Sequence, residues 1–223
     1  MIRAILTDIE GTTTSISFVH DVLVPYSRGR LPAWLPLHVA EPAVATQIAA
    51  VRTQAGVTAM ADVIATLLDW IDSDRKATPL KALQGMLWDE GYSDGALRSH
   101  VYDDVAPALQ SWRAAGLRLA VYSSGSIQAQ RLLFGHTTAG NLTPLFEAFF
   151  DTTTGAKRSS ASYDAIAAAL RLHPSELCFL SDIAEELDAA AGAGMATTWL
   201  VRDGRLDAGA RHRQVRTFTE VEP

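Results

Sequence analysis

The stretch MIRAILTDIEGTTTSISFVHD, residues 1–21, opens with an apolar run that stops on Asp8, places a second acid at Glu10, and continues through Gly11 into three threonines. A short apolar run bounded by polar residues has the character of a buried strand, whose interior has little use for carboxylates. The two acids therefore belong at the strand's carboxyl end, on a chain that Gly11 allows to turn sharply. Taking residues 2–9 as the first strand, similar runs follow at 117–123, 177–181 and 197–201. Helix-like stretches at 104–115, 160–172 and 184–192 directly precede those three. Such alternation predicts an α/β protein built on a parallel sheet.

The expected fold class is thus a doubly wound, Rossmann-like parallel sheet, and in such open sheets ligands bind beyond the carboxyl ends of the strands. Polar residues stand at that place three times: Asp8, Ser123 with Ser124, and Asp182. Between the first two strands, from about His20 to His100, the chain changes character. It is rich in Ala, Leu, Trp and Gln, and it carries helix-period runs such as VTAMADVIATLLDWID and PLKALQGMLWDEGY. This predicts a helical cap at 20–100 inserted into a core made of 1–19 and 101–223.

Composition narrows the function. The chain has 223 residues, 48% hydrophobic and 20% charged, with a formal net charge of −6. That acidic balance argues against nucleic acid as the main partner. The arginines at 202, 205, 211, 213 and 216 form the one local exception; interrupted by Asp203 and Asp207, they read as a solvated C-terminal face. No run reaches the roughly 18 apolar residues of a membrane span, so a cytoplasmic protein without membrane attachment is expected. The single cysteine, Cys178, allows no intramolecular disulfide and reads as a small buried hydrophobe. The six histidines show no metal-binding spacing. No heptad seam is present, and a monomer is expected.

The polar strand ends suggest one kind of chemistry. Ser123-Ser124-Gly125-Ser126 precedes the helical run IQAQRLLF and offers hydroxyls and amides to an anion. Lys157, in DTTTGAKRSS, adds a compact positive charge. Oxygen ligands from Asp8 and Asp182, completed by water and phosphate, suit Mg²⁺. Metal, lysine and hydroxyls together are what phosphoryl transfer requires. Each piece alone has a plainer use: strand-end aspartates make turns or caps, and Glu185 and Glu186 suit the positive end of a helix dipole.

The segments DIEGTTTSISFVHDVLVPY, DRKATPLKALQGMLWDEGY, VYSSGSIQAQRLLFGHTTAGNL, FFDTTTGAKRSSASY and FLSDIAEEL, spread between residues 8 and 187, resemble the haloacid dehalogenase superfamily of aspartate-nucleophile phosphatases. Within it they resemble the enolase-phosphatase family, the acireductone synthases of methionine salvage. The resemblance implies that Asp8 is a Mg²⁺ ligand and the nucleophile, and that Glu10 is the acid–base residue and contributes to the metal site. It implies that Ser123 and Ser124 bind substrate, that Lys157 balances phosphate charge, and that Asp182 is the second metal carboxylate. Glu10 stands where the wider superfamily has Asp, a departure that the enolase-phosphatase pattern shares.

The implied substrate is a small molecule, 2,3-diketo-5-methylthiopentyl-1-phosphate, which is enolised and then dephosphorylated. The base for enolisation stays open, with Glu10 the first candidate. Phe18, Trp34 and Trp88 are candidates for a pocket around the methylthio tail, or are simply cap core. Two other readings remain: a phosphatase for another small phosphate ester without enolisation, and an inactive member serving as a binding module.

Overall fold

The computed structural model describes all of residues 1–223 and divides them into two compact units, Met1–Ile16 with Arg98–Pro223, and Ser17–Leu97. The chain runs from β1 (Ala4–Thr7) into α1 (Ile16–Phe18), a π turn at Val19–Leu23, then α2 (Val24–His38), α3 (Pro42–Ala55), α4 (Met60–Asp72) and α5 (Thr78–Ser93). It continues through α6 (Val105–Ala114), β2 (Arg118–Tyr122), α7 (Ile127–Gly135), β3 (Ala148–Phe150), α8 (Ser160–Leu170), β4 (Leu177–Ser181), α9 (Ala184–Gly192), β5 (Ala196–Leu200) and β6 (Arg213–Val215).

The larger unit is a six-stranded sheet in the order β3-β2-β1-β4-β5-β6, with every neighbouring pair parallel. Both faces are covered, which is why its central strands read as unbroken apolar runs. On one face Ile5, Leu119, Val121, Cys178 and Leu180 pack with Val105, Leu109, Trp112 and Phe134 of α6 and α7. On the other, Ala4, Leu6, Ala120, Tyr122 and Phe179 pack with Tyr163, Ile166, Leu187 and Ala190 of α8 and α9. The fold class expected from the alternation is the one observed. Cys178 is buried within the first of these clusters.

Two strands escape the sequence pattern. β3 and β6 have three residues each and lie at the two edges of the sheet. Runs that short carry no periodicity to detect. β1 is also shorter than the 2–9 expected: Ile9 already belongs to the turn, although the Asp8 amide still donates to the Leu180 carbonyl at 2.9 Å.

The Ser17–Leu97 unit is helical, around a core of its own. Val44, Ile48 and Val51 of α3, Val63, Leu67 and Trp70 of α4, and Leu80, Leu83 and Leu87 of α5 recur at helical spacing and pack together with Leu31, Trp34 and Leu35 of α2. Trp34 gives its indole N–H to Glu90 at 2.6 Å, and Trp88 gives its own to the Leu23 carbonyl at 3.1 Å. Both tryptophans take part in the packing of this unit, Trp34 buried and Trp88 half-buried, and Phe18 is buried as well. No helix of the chain is long and apolar enough to cross a membrane.

Candidate active site

The register of the sheet sets the site. Thr7 lies level with Val121 of β2 on one side and Leu180 of β4 on the other, so Asp8, Ser123 and Asp182 all leave the same edge. Beyond Asp8 the chain folds back tightly: the amides of Thr12, Thr13 and Thr14 all donate to the Ile9 carbonyl, and Gly11 donates to the Thr14 carbonyl at 2.8 Å. Gly11 has a φ of +73°, and a β-carbon there would lie 2.1 Å from Asp182 Oδ2. Glycine is needed at this turn both for its backbone angle and for the room it leaves Asp182.

Asp8 is buried, and its Oδ1 accepts from the Ile9 amide at 2.7 Å and from Lys157 Nζ at 2.7 Å. The same ammonium lies 2.6 Å from Glu186 Oε2. Burial alone would push the Lys157 pKa down, but attraction to Asp8 and Glu186 outweighs it and holds the lysine above its ordinary value. Burial and the Asp8 charge push Glu186 up. Glu186 Oε2 also accepts from the Ser181 hydroxyl at 3.0 Å, and Ser181 Oγ accepts from the Ile183 amide at 3.1 Å. The last residue of β4 and the first turn of α9 thus fix the lysine from behind.

Asp182 is in a different condition. Its Oδ1 is buried with no hydrogen-bond partner. Burial first, and the nearby Asp8 charge second, push its carboxyl up to about 6. A carboxylate withdrawn from water beside another carboxylate is stabilised by a cation. No group of three His, Cys, Asp or Glu side chains suited to a metal gathers anywhere in the chain. Asp8 and Asp182 could hold a divalent cation between them, with water and phosphate completing an oxygen shell.

On the β2 side, Ser123 is buried, its amide donates to the Phe150 carbonyl at 3.1 Å, and its Oγ accepts from the Gly125 amide at 3.2 Å. Ser124 is exposed, as is Glu10. Ser126 caps α7, its Oγ accepting from the Ala129 amide at 3.2 Å.

A haloacid dehalogenase-like hydrolase family profile matches residues 2–194. Enolase-phosphatase E1 of Pseudomonas syringae pv. tomato is 56% identical over 224 residues, covering 100% of this chain and 98% of that protein. Enolase-phosphatase E1 of Pseudomonas aeruginosa (strain UCBPP-PA14) is 57% identical, covering 99% of this chain and 98% of that one. The chain belongs to the enolase-phosphatase family of haloacid dehalogenase-like hydrolases. The crystal structure of the UTR4 protein from Saccharomyces cerevisiae, 31% identical, superposes with a TM-score of 0.85 over 99% of this chain and 100% of that chain.

Two residues beside the candidate site of this enolase-phosphatase escaped the sequence pattern. Glu186, whose plainer expected use was at the helix dipole, is a buried partner of Lys157. Its place four residues after Asp182 was the available signal, but spacing alone cannot tell a buried acid from an exposed one. Asp151, at the end of β3, joins two loops: Oδ2 accepts from the Ile127 amide at 3.3 Å, while Oδ1 accepts from the Thr153 amide at 2.9 Å and hydroxyl at 2.6 Å. It ties the start of α7 to the segment that carries Lys157.

That segment also depends on Gly155, at φ +145°, whose carbonyl accepts from the Tyr122 hydroxyl at 2.9 Å. A β-carbon there would meet Ser162 Oγ at 2.2 Å. Gly155→Ala is expected to destabilise the fold by about 1–3 kcal/mol, from backbone strain together with the clash. Thermal denaturation measures it, and an unchanged melting temperature would mean that the loop absorbs the methyl group.

Proposed function

We propose that the chain converts 2,3-diketo-5-methylthiopentyl-1-phosphate into 1,2-dihydroxy-3-keto-5-methylthiopentene and phosphate, the acireductone-forming step of methionine salvage, acting as a monomer in the cytoplasm. The observation that carries this reading is the hold on Asp8: one oxygen fixed by the Ile9 amide and the Lys157 ammonium, in a buried setting at the sheet edge. Family membership supplies the reaction class.

Asp8 attacks phosphorus, the bond from phosphorus to the substrate oxygen breaks, and water then attacks the aspartyl-phosphate to release phosphate and restore the carboxylate. Glu10 protonates the leaving oxygen and takes the proton of the attacking water; it is also our candidate for the base that removes the proton from the phosphate-bearing carbon. Lys157 offsets the negative charge of phosphate and Asp8. Ser123 and Ser124 donate to the substrate from the tip of β2.

Hydrolases of this kind are in general metal-dependent. The side chains of Asp8 and Asp182, with the Glu10 main chain, are the groups that would hold Mg²⁺. When bound, the ion supplies charge neutralisation at phosphate and polarisation of the diketone. Asp182→Asn is expected to weaken Mg²⁺ binding by about 10-fold or more, since one anionic ligand is lost while Asp8 remains. Calorimetric titration with Mg²⁺ measures this, and an unchanged affinity would make Asp182 a structural residue.

The decisive experiment incubates the protein with the diketo phosphate and Mg²⁺ while following enol absorbance and released phosphate together. Both signals are expected. Phosphate without the enol product would leave a phosphatase for another ester, and neither signal, with this or a panel of phosphate esters, would leave a binding module.

A further inference from the structure

We infer that the end of β5 is a gauge that sets the spacing between the two acid-bearing loops, with Trp199 and Arg202 as its positioning residues; this deepens the metal-site reading above and rests on it. Trp199 donates its indole N–H to the main-chain carbonyl of Asp182 at 2.8 Å. Three residues on, Arg202 donates from Nε at 2.9 Å and from Nη2 at 2.6 Å to the carbonyl of Thr12. Thr12 directly follows Gly11, the residue whose missing side chain makes room for the Asp182 carboxylate. One short piece of chain therefore grips the backbone of both loops, beside the place where Gly11 leaves room for Asp182.

Arg202 is built into this role. Its Nη1 bonds both oxygens of Asp104 at 2.8 Å and also donates to the Arg216 carbonyl at 3.2 Å. Its guanidinium carbon lies 4.2 Å from the Tyr102 ring centroid and 5.1 Å from that of Phe218, and the side chain is 7% exposed. Asp104 is held in turn by the Phe218 amide at 2.6 Å. The Tyr102 amide donates to the Thr13 carbonyl at 3.1 Å, so consecutive carbonyls of the acid-bearing turn are fixed from one side. A planar fork can reach Thr12 and Asp104 at once while lying between two rings; an ammonium cannot. This corrects the expectation that Arg202 lies on a solvated face. Arg213 and Arg216 of the same cluster are exposed, with Arg213 paired to Glu222.

A cation shared by carboxylates on two separate loops is bound only as well as those loops are spaced. The test compares the full-length protein with Arg202→Lys and Trp199→Phe, measuring Mg²⁺ affinity by calorimetry beside the melting temperature. Both variants are expected to bind Mg²⁺ about 10-fold more weakly or worse, the usual size of such outer-sphere effects, and to regain phosphatase turnover as Mg²⁺ is raised. A residue that serves stability alone would lower the melting temperature and leave the Mg²⁺ affinity unchanged. Trp199→Phe keeps an aromatic ring in place and cannot make the indole bond, so unchanged Mg²⁺ affinity in that variant overturns the proposal whatever Arg202→Lys does. Wild-type protein that binds no Mg²⁺ would instead remove the metal-site reading, and the gauge with it.

Discussion

Asp8→Asn is expected to reduce phosphate release by on the order of 10⁴-fold or more, the scale on which losing a covalent nucleophile is felt. The amide oxygen can still accept from the Ile9 N–H and from Lys157, so the variant should fold with the turn intact. What it lacks is a nucleophilic carboxylate, and Lys157 is left to pair with Glu186 alone. Single-turnover phosphate release measures the loss. Acid quenching followed by mass spectrometry should find a phosphorylated chain in wild type and none in the variant. Near-normal phosphate release from Asp8→Asn would end the covalent mechanism.

Lys157→Ala should be nearly as damaging, for two separable reasons. The ammonium is the shared counter-ion of Asp8 and Glu186, at 2.7 and 2.6 Å, and removing it leaves two buried carboxylates in one place. Breaking a buried pair of this kind costs roughly 3–5 kcal/mol. The catalytic loss, on the order of 10²-fold or more in kcat/KM, is that of one preorganised electrostatic group. Lys157→Arg should rescue poorly, because a longer planar fork cannot occupy a space built for a compact charge between two acids. Pairing Lys157→Ala with Glu186→Gln separates the terms: the double variant should regain stability without regaining activity. A folded Lys157→Ala protein with near-wild-type kcat/KM would remove Lys157 from the reaction.

The sheet was legible in the sequence wherever strands were long enough and buried on both faces. β2, β4 and β5 lie within a residue or so of the expected runs, because an apolar stretch between turn residues has few other uses. β3 and β6 were not legible, since three-residue edge strands are defined by their neighbours. Asp8, Ser123 and Asp182 stood out because strand ends are where a parallel sheet tolerates polar groups. Glu186 and Arg202 did not, although both are buried charges, because each looks like a surface residue until its partner is known. Those partners are Lys157, a neighbour through the fold and not through the sequence, and Thr12, which β5 approaches from the far end of the chain.

The strand order has a consequence for how the molecule comes into being. β1, made first, pairs only with β2 and β4, which begin about 110 and 170 residues later, separations that slow pairing. The Ser17–Leu97 helices, whose contacts are local, need not wait for either. A nascent or truncated chain ending before Leu177 has β1 open along one edge and lacks both Glu186 and Asp182. Asp8 is therefore synthesised early, and it acquires its surroundings only when the last third of the protein has been laid beside it.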